Sequence, residues 1–230
     1  MKNSFQILVA AVALNALSVA SYAVPTSFRS LLSGGEISIG DKIFGDFRFQ
    51  SAAIDVSVAN VEATIGPSGI YYLTFSGPFL STGTSTDISI FYSVRTASGL
   101  PLITAIDQAF ELSSSGTGGF VLIGETVRKD SFTGPAIAQS SLAYVTGMLS
   151  DLADPDAEPV TGDQLLVNPA QAKLYVTKDI YFAALPGGVI GPTAVIQSFH
   201  QISIPEGGLT VGLMGLGLAG LSLLRMRRSE

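Results

Sequence analysis

Hydrophobic positions through the middle of the chain recur with a period of two, in short runs. Ile88, Ile90, Tyr92 and Val94 alternate with Ser89 and Ser93, which puts one set on one face of a strand. Ile54, Val56 and Val58 alternate with Asp55 and Ser57 in the same way, so a strand is expected there too. Val61 to Ile65 and Ile70 to Phe75 flank Gly66-Pro67-Ser68-Gly69, the form of a hairpin with a four-residue connection. Phe120 to Ile123 and Ala136 to Val145 add further runs, and Leu174–Val176 and Ile180–Phe182 lie on either side of Thr177-Lys178-Asp179. Pro186-Gly187-Gly188 then turns the chain into a last strand at Thr193 to Ile204. No internal segment carries an amphipathic helical period. About ten to thirteen short strands separated by Gly and Ser turns predict an all-β fold. The expected architecture is an antiparallel β-sandwich, jelly-roll-like, over residues 24–203.

The two ends break this pattern. Lys2 precedes an apolar stretch from Ile7 to Ala20, interrupted only by Asn15 and Ser18, and Ser21-Tyr22-Ala23 follows. Small residues at Ser21 and Ala23 match what signal peptidase reads, so residues 1–23 are expected to form a signal helix cut after Ala23. Residues 204–230 form the opposite end. There Leu209 to Leu224 carries no charge, and Arg225, Arg227 and Arg228 follow. As a helix this stretch spans about 24 Å against a hydrocarbon core of about 30 Å. A short transmembrane helix with snorkelling arginines satisfies that geometry. Arginines at its far end mark the cytoplasmic side, an orientation consistent with export of the body.

Charge and cysteine content narrow the classes. The chain has no Cys, 12 Lys plus Arg and 18 Asp plus Glu, for a net charge of −6. An exported domain without disulfides must be held by its core, and a body of this length can bury one. The acidic balance, with Arg128-Lys129 as the one adjacent basic pair of the body, argues against nucleic acid. The mean hydropathy of +0.46 is raised by the two apolar ends.

Candidate chemistry is sparse. His200 is the single histidine, and no Gly-x-Ser-x-Gly elbow accompanies it, so a solvated strand histidine is expected rather than a relay. No nucleotide loop precedes a helix, and no catalytic residue is assigned. Asp151, Asp154, Asp156 and Glu158 supply clustered oxygens of the kind Ca²⁺ takes, though not in the EF-hand order. A solvated acidic loop is the plainer reading, so no metal or cofactor beyond that Ca²⁺ candidate is expected. A glycoside-type hydrolase needs only two carboxylates, and no local pattern selects a pair. Phe47, Phe49, Tyr71, Tyr72, Phe91 and Tyr92 are candidates for a sugar platform, of which at least half should face the core.

The C-terminal arrangement of Ile204-Pro205-Glu206-Gly207-Gly208, an apolar helix and Arg225, Arg227 and Arg228 resembles the PEP-CTERM type of exosortase sorting signal of Gram-negative bacteria. Pro-Glu-Gly-Gly stands where that signal has Pro-Glu-Pro, closer to the Val-Pro-Asp-Ser-Gly variant. Gly40-Asp41-Lys42-Ile43-Phe44 with Phe47, Lys178-Asp179-Ile180, and Gln197, Ser198, Phe199 and Gln201 are similar to motifs of such proteins without assigned activity. The resemblance implies signal peptidase and an exosortase-like enzyme as partners. It also implies transient residence in the inner membrane, removal of the tail, and delivery to the cell surface or an exopolysaccharide matrix. An exported protein of structural or adhesive role is the expected function, with a carbohydrate- or calcium-binding module as the alternative and a hydrolase behind both.

Overall fold

A computed structural model describes residues 24–66, 69–97, 101–145 and 162–202. Thirteen strands run through them: β1 Thr26–Ser27, β2 Ile37–Ile39, β3 Lys42–Ser51, β4 Asn60–Ile65, β5 Tyr71–Ser76, β6 Ser81–Thr82, β7 Ser85–Thr96, β8 Leu102–Ser115, β9 Gly119–Arg128, β10 Ala136–Val145, β11 Gly162–Gln171, β12 Lys173–Ala184 and β13 Val189–Ile202. One helical turn, α1 at Phe28–Leu31, packs Phe28 and Leu31 into the core. Two antiparallel sheets result. The larger runs β1-β4-β5-β13-β8-β11 with β6 beside β13, and the smaller runs β10-β9-β12-β7-β3-β2.

Alternation places the core between the sheets. Leu174, Val176, Ile180 and Phe182 of β12 face Leu73, Phe75, Ile106, Val195 and Phe199 of the larger sheet, all buried. Phe199 reaches across to Phe44 (ring centroids 5.2 Å) and Tyr92 (6.4 Å). Each such aromatic removes about 150–250 Å² from water, and at about 25 cal/mol per Å² burial of this kind is the main term joining the sheets.

The expected hairpin is present: β4 and β5 pair from Ile65↔Tyr71 to Asn60↔Ser76. One local expectation is corrected. Val56–Val58 forms a 3-10 turn instead of a strand, because the Asp55 carboxylate accepts the Ser57 backbone N–H at 2.9 Å and caps it. Short polar side chains that bond their own backbone in this way compete with a strand ladder. The runs on either side of Thr177-Lys178-Asp179 belong to one strand: β12 runs through all three residues, paired on both sides with β7 and β9.

The signal segment with Ser21 and Ala23, the acidic loop with Asp151, Asp154, Asp156 and Glu158, and the tail with Ile204, Pro205, Glu206, Gly207, Gly208, Arg225, Arg227 and Arg228 lie outside the described residues. Among the described residues, no helix is long and apolar enough to cross a membrane.

Candidate functional site

The outward row of β12 crosses the exposed face of the smaller sheet, and three depressions follow it. At one end Tyr181 packs on Phe120 of β9, with ring centroids 5.6 Å apart. Tyr181 also borders a groove of about 890 Å³ with Gln50, Ser51, Asp87 and Ser89. In the middle Asp179 accepts a hydrogen bond from Ser89 Oγ at 2.8 Å. Beside it Gly124, Thr126, Gln139 and Ser141 surround a depression of about 350 Å³. Gly124 is what opens that depression: a Cβ built there would meet only Asp179 atoms, at 3.8 and 4.0 Å. At the far end Tyr175 meets Phe132 edge-on at 5.1 Å, and Phe132 meets Phe91 at 5.8 Å. The Arg48 guanidinium lies 4.7 Å over the Phe132 ring and Lys173 Nζ 4.6 Å over Tyr175. Arg48, Phe132, Lys173 and Tyr175 line a third depression of about 370 Å³ together with Asp46 and Thr133.

Tyr175 and Tyr181 are six residues apart on one strand, so about 20 Å of polar surface separates the two aromatic ends. Aromatic rings there offer apolar faces, while the hydroxyls, amides and carboxylates between them offer hydrogen bonds in both directions.

Of the six aromatics in the predicted platform, Phe47, Tyr71 and Tyr92 are buried and Phe49 packs against the core at Phe28. Phe91 does lie on the outer face, and Tyr72 lies on the outside of the other sheet, lining a small cavity with Asp107, Ser198 and His200. Tyr175, Tyr181, Phe120 and Phe132 were not among the six. Their signal is phase: Tyr175 and Tyr181 alternate with Leu174, Val176, Ile180 and Phe182, so a continuous strand turns them outward.

His200 does meet Asp107 and Ser198, on the outer face of the larger sheet. Its Nε2 lies 2.6 Å from Asp107 Oδ2 and 3.2 Å from Ser198 Oγ, and Ser198 Oγ donates to the same Asp107 oxygen at 3.0 Å. A relay requires the carboxylate on Nδ1 and the hydroxyl on Nε2. Here one nitrogen faces both partners and the serine proton is directed at the carboxylate, so the arrangement is a closed hydrogen-bonded cluster. Among the described residues no group of three or more acidic or histidine side chains is placed to hold a metal ion.

A second polar group sits inside the sandwich. Lys178 of β12 and Glu125 of β9 are opposite one another and fully buried, joined by a direct hydrogen-bonded ion pair. Lys178 Nζ also donates to Gln108 Oε1 of β8 at 3.1 Å, and Gln108 Nε2 donates to Ser140 Oγ of β10 at 2.6 Å. Gln197 of β13 donates to the Asp107 carbonyl at 2.7 Å and to Glu125 Oε1 at 3.5 Å. Burial holds the Lys178 ammonium below the usual lysine range despite the Glu125 charge. Burial, then the Glu125 charge, pushes the Tyr92 phenol well up. Lys42 is likewise buried, donating to Asp41 at 2.8 Å and to Gln201.

No family model and no curated protein matches the chain. Solved structures give loose likenesses. The chain is similar to the carbohydrate-binding module TmCBM61, solved with beta-1,4-galactotriose: 11% identity, 66% of this chain, 87% of that one, TM-score 0.30. It is similar to the xylan-binding module CBM15 at 14% identity, 73% of this chain, 97% of that one and TM-score 0.23. Tailspike protein 4 of bacteriophage CBA120 matches at 12% identity, 67% of this chain, 19% of that one and TM-score 0.27. Likeness of this degree transfers neither a ligand nor a site.

Proposed function

We propose that the body is a binding module for an extended, neutral polysaccharide, which it takes along the outer face of the smaller sheet. The observation that carries this is the row from Tyr181 to Tyr175, aromatic at both ends and hydrogen-bonding between, with a depression at each stage. A sugar ring has two apolar C–H faces and a rim of hydroxyls. Aromatic platforms take the faces; Asp179, Gln139, Thr126 and Ser89 take the rim. The face is close to charge-balanced, since Arg48, Lys173 and Arg128 accompany Asp46, Asp87 and Asp179, which favours a neutral chain over a polyanion. We further propose that the module is exported and sorted through the Pro205-Glu206 tail to the cell surface or an exopolysaccharide matrix, where such binding amounts to adhesion.

Affinity electrophoresis against neutral and acidic polysaccharides tests the module. Tyr181→Ala and Tyr175→Ala are each expected to weaken binding at least about tenfold, about 1.4 kcal/mol. Gly124→Leu, whose Cβ has ordinary van der Waals room there and whose side chain would occupy the central depression, is expected to abolish binding while the circular dichroism spectrum stays unchanged. Full binding by Gly124→Leu, or binding only to acidic chains, overturns the assignment.

A further inference from the structure

The buried group around Lys178 brings an amine, a carboxamide and a carboxyl group together between the sheets. Lys178 Nζ contacts both the Gln108 carboxamide and the Glu125 carboxylate, and all three side chains are buried. The Gln108 nitrogen is held separately by Ser140 Oγ, which leaves its carbonyl directed at the lysine. We propose that Lys178 and Gln108 react to form an intramolecular amide bond that ties the two sheets together.

The step balances without a co-reactant. Lys178 passes one proton to Glu125 and its neutral Nζ attacks Cδ of Gln108. The Nζ–Cδ bond forms, the Cδ–Nε2 bond breaks, and Nε2 leaves as ammonia after Glu125 has moved a second proton from Nζ to it. An ammonium, a carboxamide and a carboxylate become a secondary amide, one ammonia and a carboxylic acid. Each requirement has a source in the geometry. Desolvation weakens the hold of the proton on the lysine, which makes the amine nucleophilic. Fixed strands hold the reacting groups in contact, which removes the entropic cost of bringing them together. Glu125 lies within hydrogen-bond reach of Nζ, as a proton carrier must. Glu125 and Ser140 also line the floor of the depression at Gly124, which gives ammonia a way out.

Lys42 and Gln201 make the same amine–carboxamide contact, but their carboxylate, Asp41, is a quarter exposed. Water stabilises its charged form there, and the proposal is confined to Lys178. In a chain without cysteine, such a bond would give an exported domain the covalent hold that disulfides supply elsewhere.

The test is mass spectrometry of the denatured full chain with a tryptic map. Expected is a product in which fragment 96–128 is joined to a fragment starting at Leu174 and uncut at Lys178, lighter than the two together by one ammonia. Lys178→Met should restore the unjoined mass. Glu125→Gln should fold, by circular dichroism, and remain unjoined. Wild-type protein with trypsin-cleavable Lys178 and its full mass overturns the proposal, leaving an ordinary ion pair. Loss of water instead places the bond at Glu125 and overturns the role of Gln108. Glu125→Gln that joins as completely as wild type removes Glu125 from the step. Polysaccharide binding is read by electrophoresis of the folded protein and the amide by the mass of the denatured chain, so either proposal can fail alone.

Discussion

Asp46 is held in the left-handed region, at φ 55°, in the irregularity where β3 shifts register against β7 between Gly45 and Arg48. A non-glycine residue there is uncommon, and Asp and Asn tolerate it best. Its carboxylate compensates: Oδ2 accepts from Ser93 Oγ at 2.7 Å and from Lys173 Nζ at 3.2 Å. The Ser93 hydrogen bond, aided by Lys173 and Arg48, holds the Asp46 carboxyl below the usual aspartate range. A carboxylate with a depressed folded pKa contributes stability that is fully present above its unfolded pKa of about 3.9. That contribution fades as pH falls through the lower folded value. Asp46→Asn keeps the backbone preference and removes the titration. Its urea midpoint should therefore lie below wild type at neutral pH, by an amount equivalent to under about 1 kcal/mol for this half-exposed group. The two should converge at acid pH, once it has fallen below the depressed folded value. A constant gap across the acid range would mean that the backbone, and not the charge, carries the difference.

Two strand glycines separate what an element tolerates from what it forbids. Gly191 in β13 lies against the Phe79 carbonyl, and a Cβ there would sit 1.8 Å from that oxygen. Backbone cannot swing aside as a side-chain tip can, so Gly191→Ala is expected to cost at least about 1–3 kcal/mol. Gly124→Ala in β9 meets nothing closer than 3.8 Å and should shift the melting temperature little, within about 0.5 kcal/mol. Equal effects of the two in thermal melts would contradict the placement of β13 against the Phe79 segment. Nothing in the local sequence tells these glycines apart, since the difference is made by segments distant in the chain. Element type was legible where it is local: the alternation of Ile88 to Val94 lies within β7, and the turn after Ile65 closes a hairpin. The turn at Val56 was missed because Val-Ser-Val reads as strand until the Asp55 cap is seen.

At the scale of the molecule, the two-sheet architecture followed from strand count and turn spacing, while sheet membership did not. β12 lies between β9 and β7, and β13 between β5 and β8, pairings that no short-range signal encodes. The polar core was readable in part. Lys178 falls in phase with Val176 and Ile180, Glu125 with Ile123 and Val127, Gln108 with Ile106 and Phe110, and Gln197 with Val195 and Phe199. Four polar side chains on inward phases, three of them buried beside a lysine, mark one shared centre. Lys42, Lys178, Gln197 and Gln201 also stand in the motifs that resemble sorted surface proteins, so those motifs describe the interior of the sandwich more than its surface. The aromatics of the proposed face are scattered in sequence, and only the phase of a continuous β12 turns Tyr175 and Tyr181 to the same side. The export proposal belongs to this scale as well, because it concerns what the body is attached to. If helical, the uncharged stretch would span about 24 Å, which with terminal arginines suits the proposed temporary anchor better than a permanent one. Intact mass of the surface-associated protein from the native host should show a C-terminus within or just after Pro205-Glu206-Gly207-Gly208, with the residues from Val211 onward gone. In the same cells, changing Arg225, Arg227 and Arg228 to Ala should leave less of the precursor in the inner-membrane fraction, since on the export proposal these arginines act as the positive stop. A surface form that still carries Arg225–Glu230 would replace processing with a retained anchor, and the adhesive module would then work tethered to the membrane.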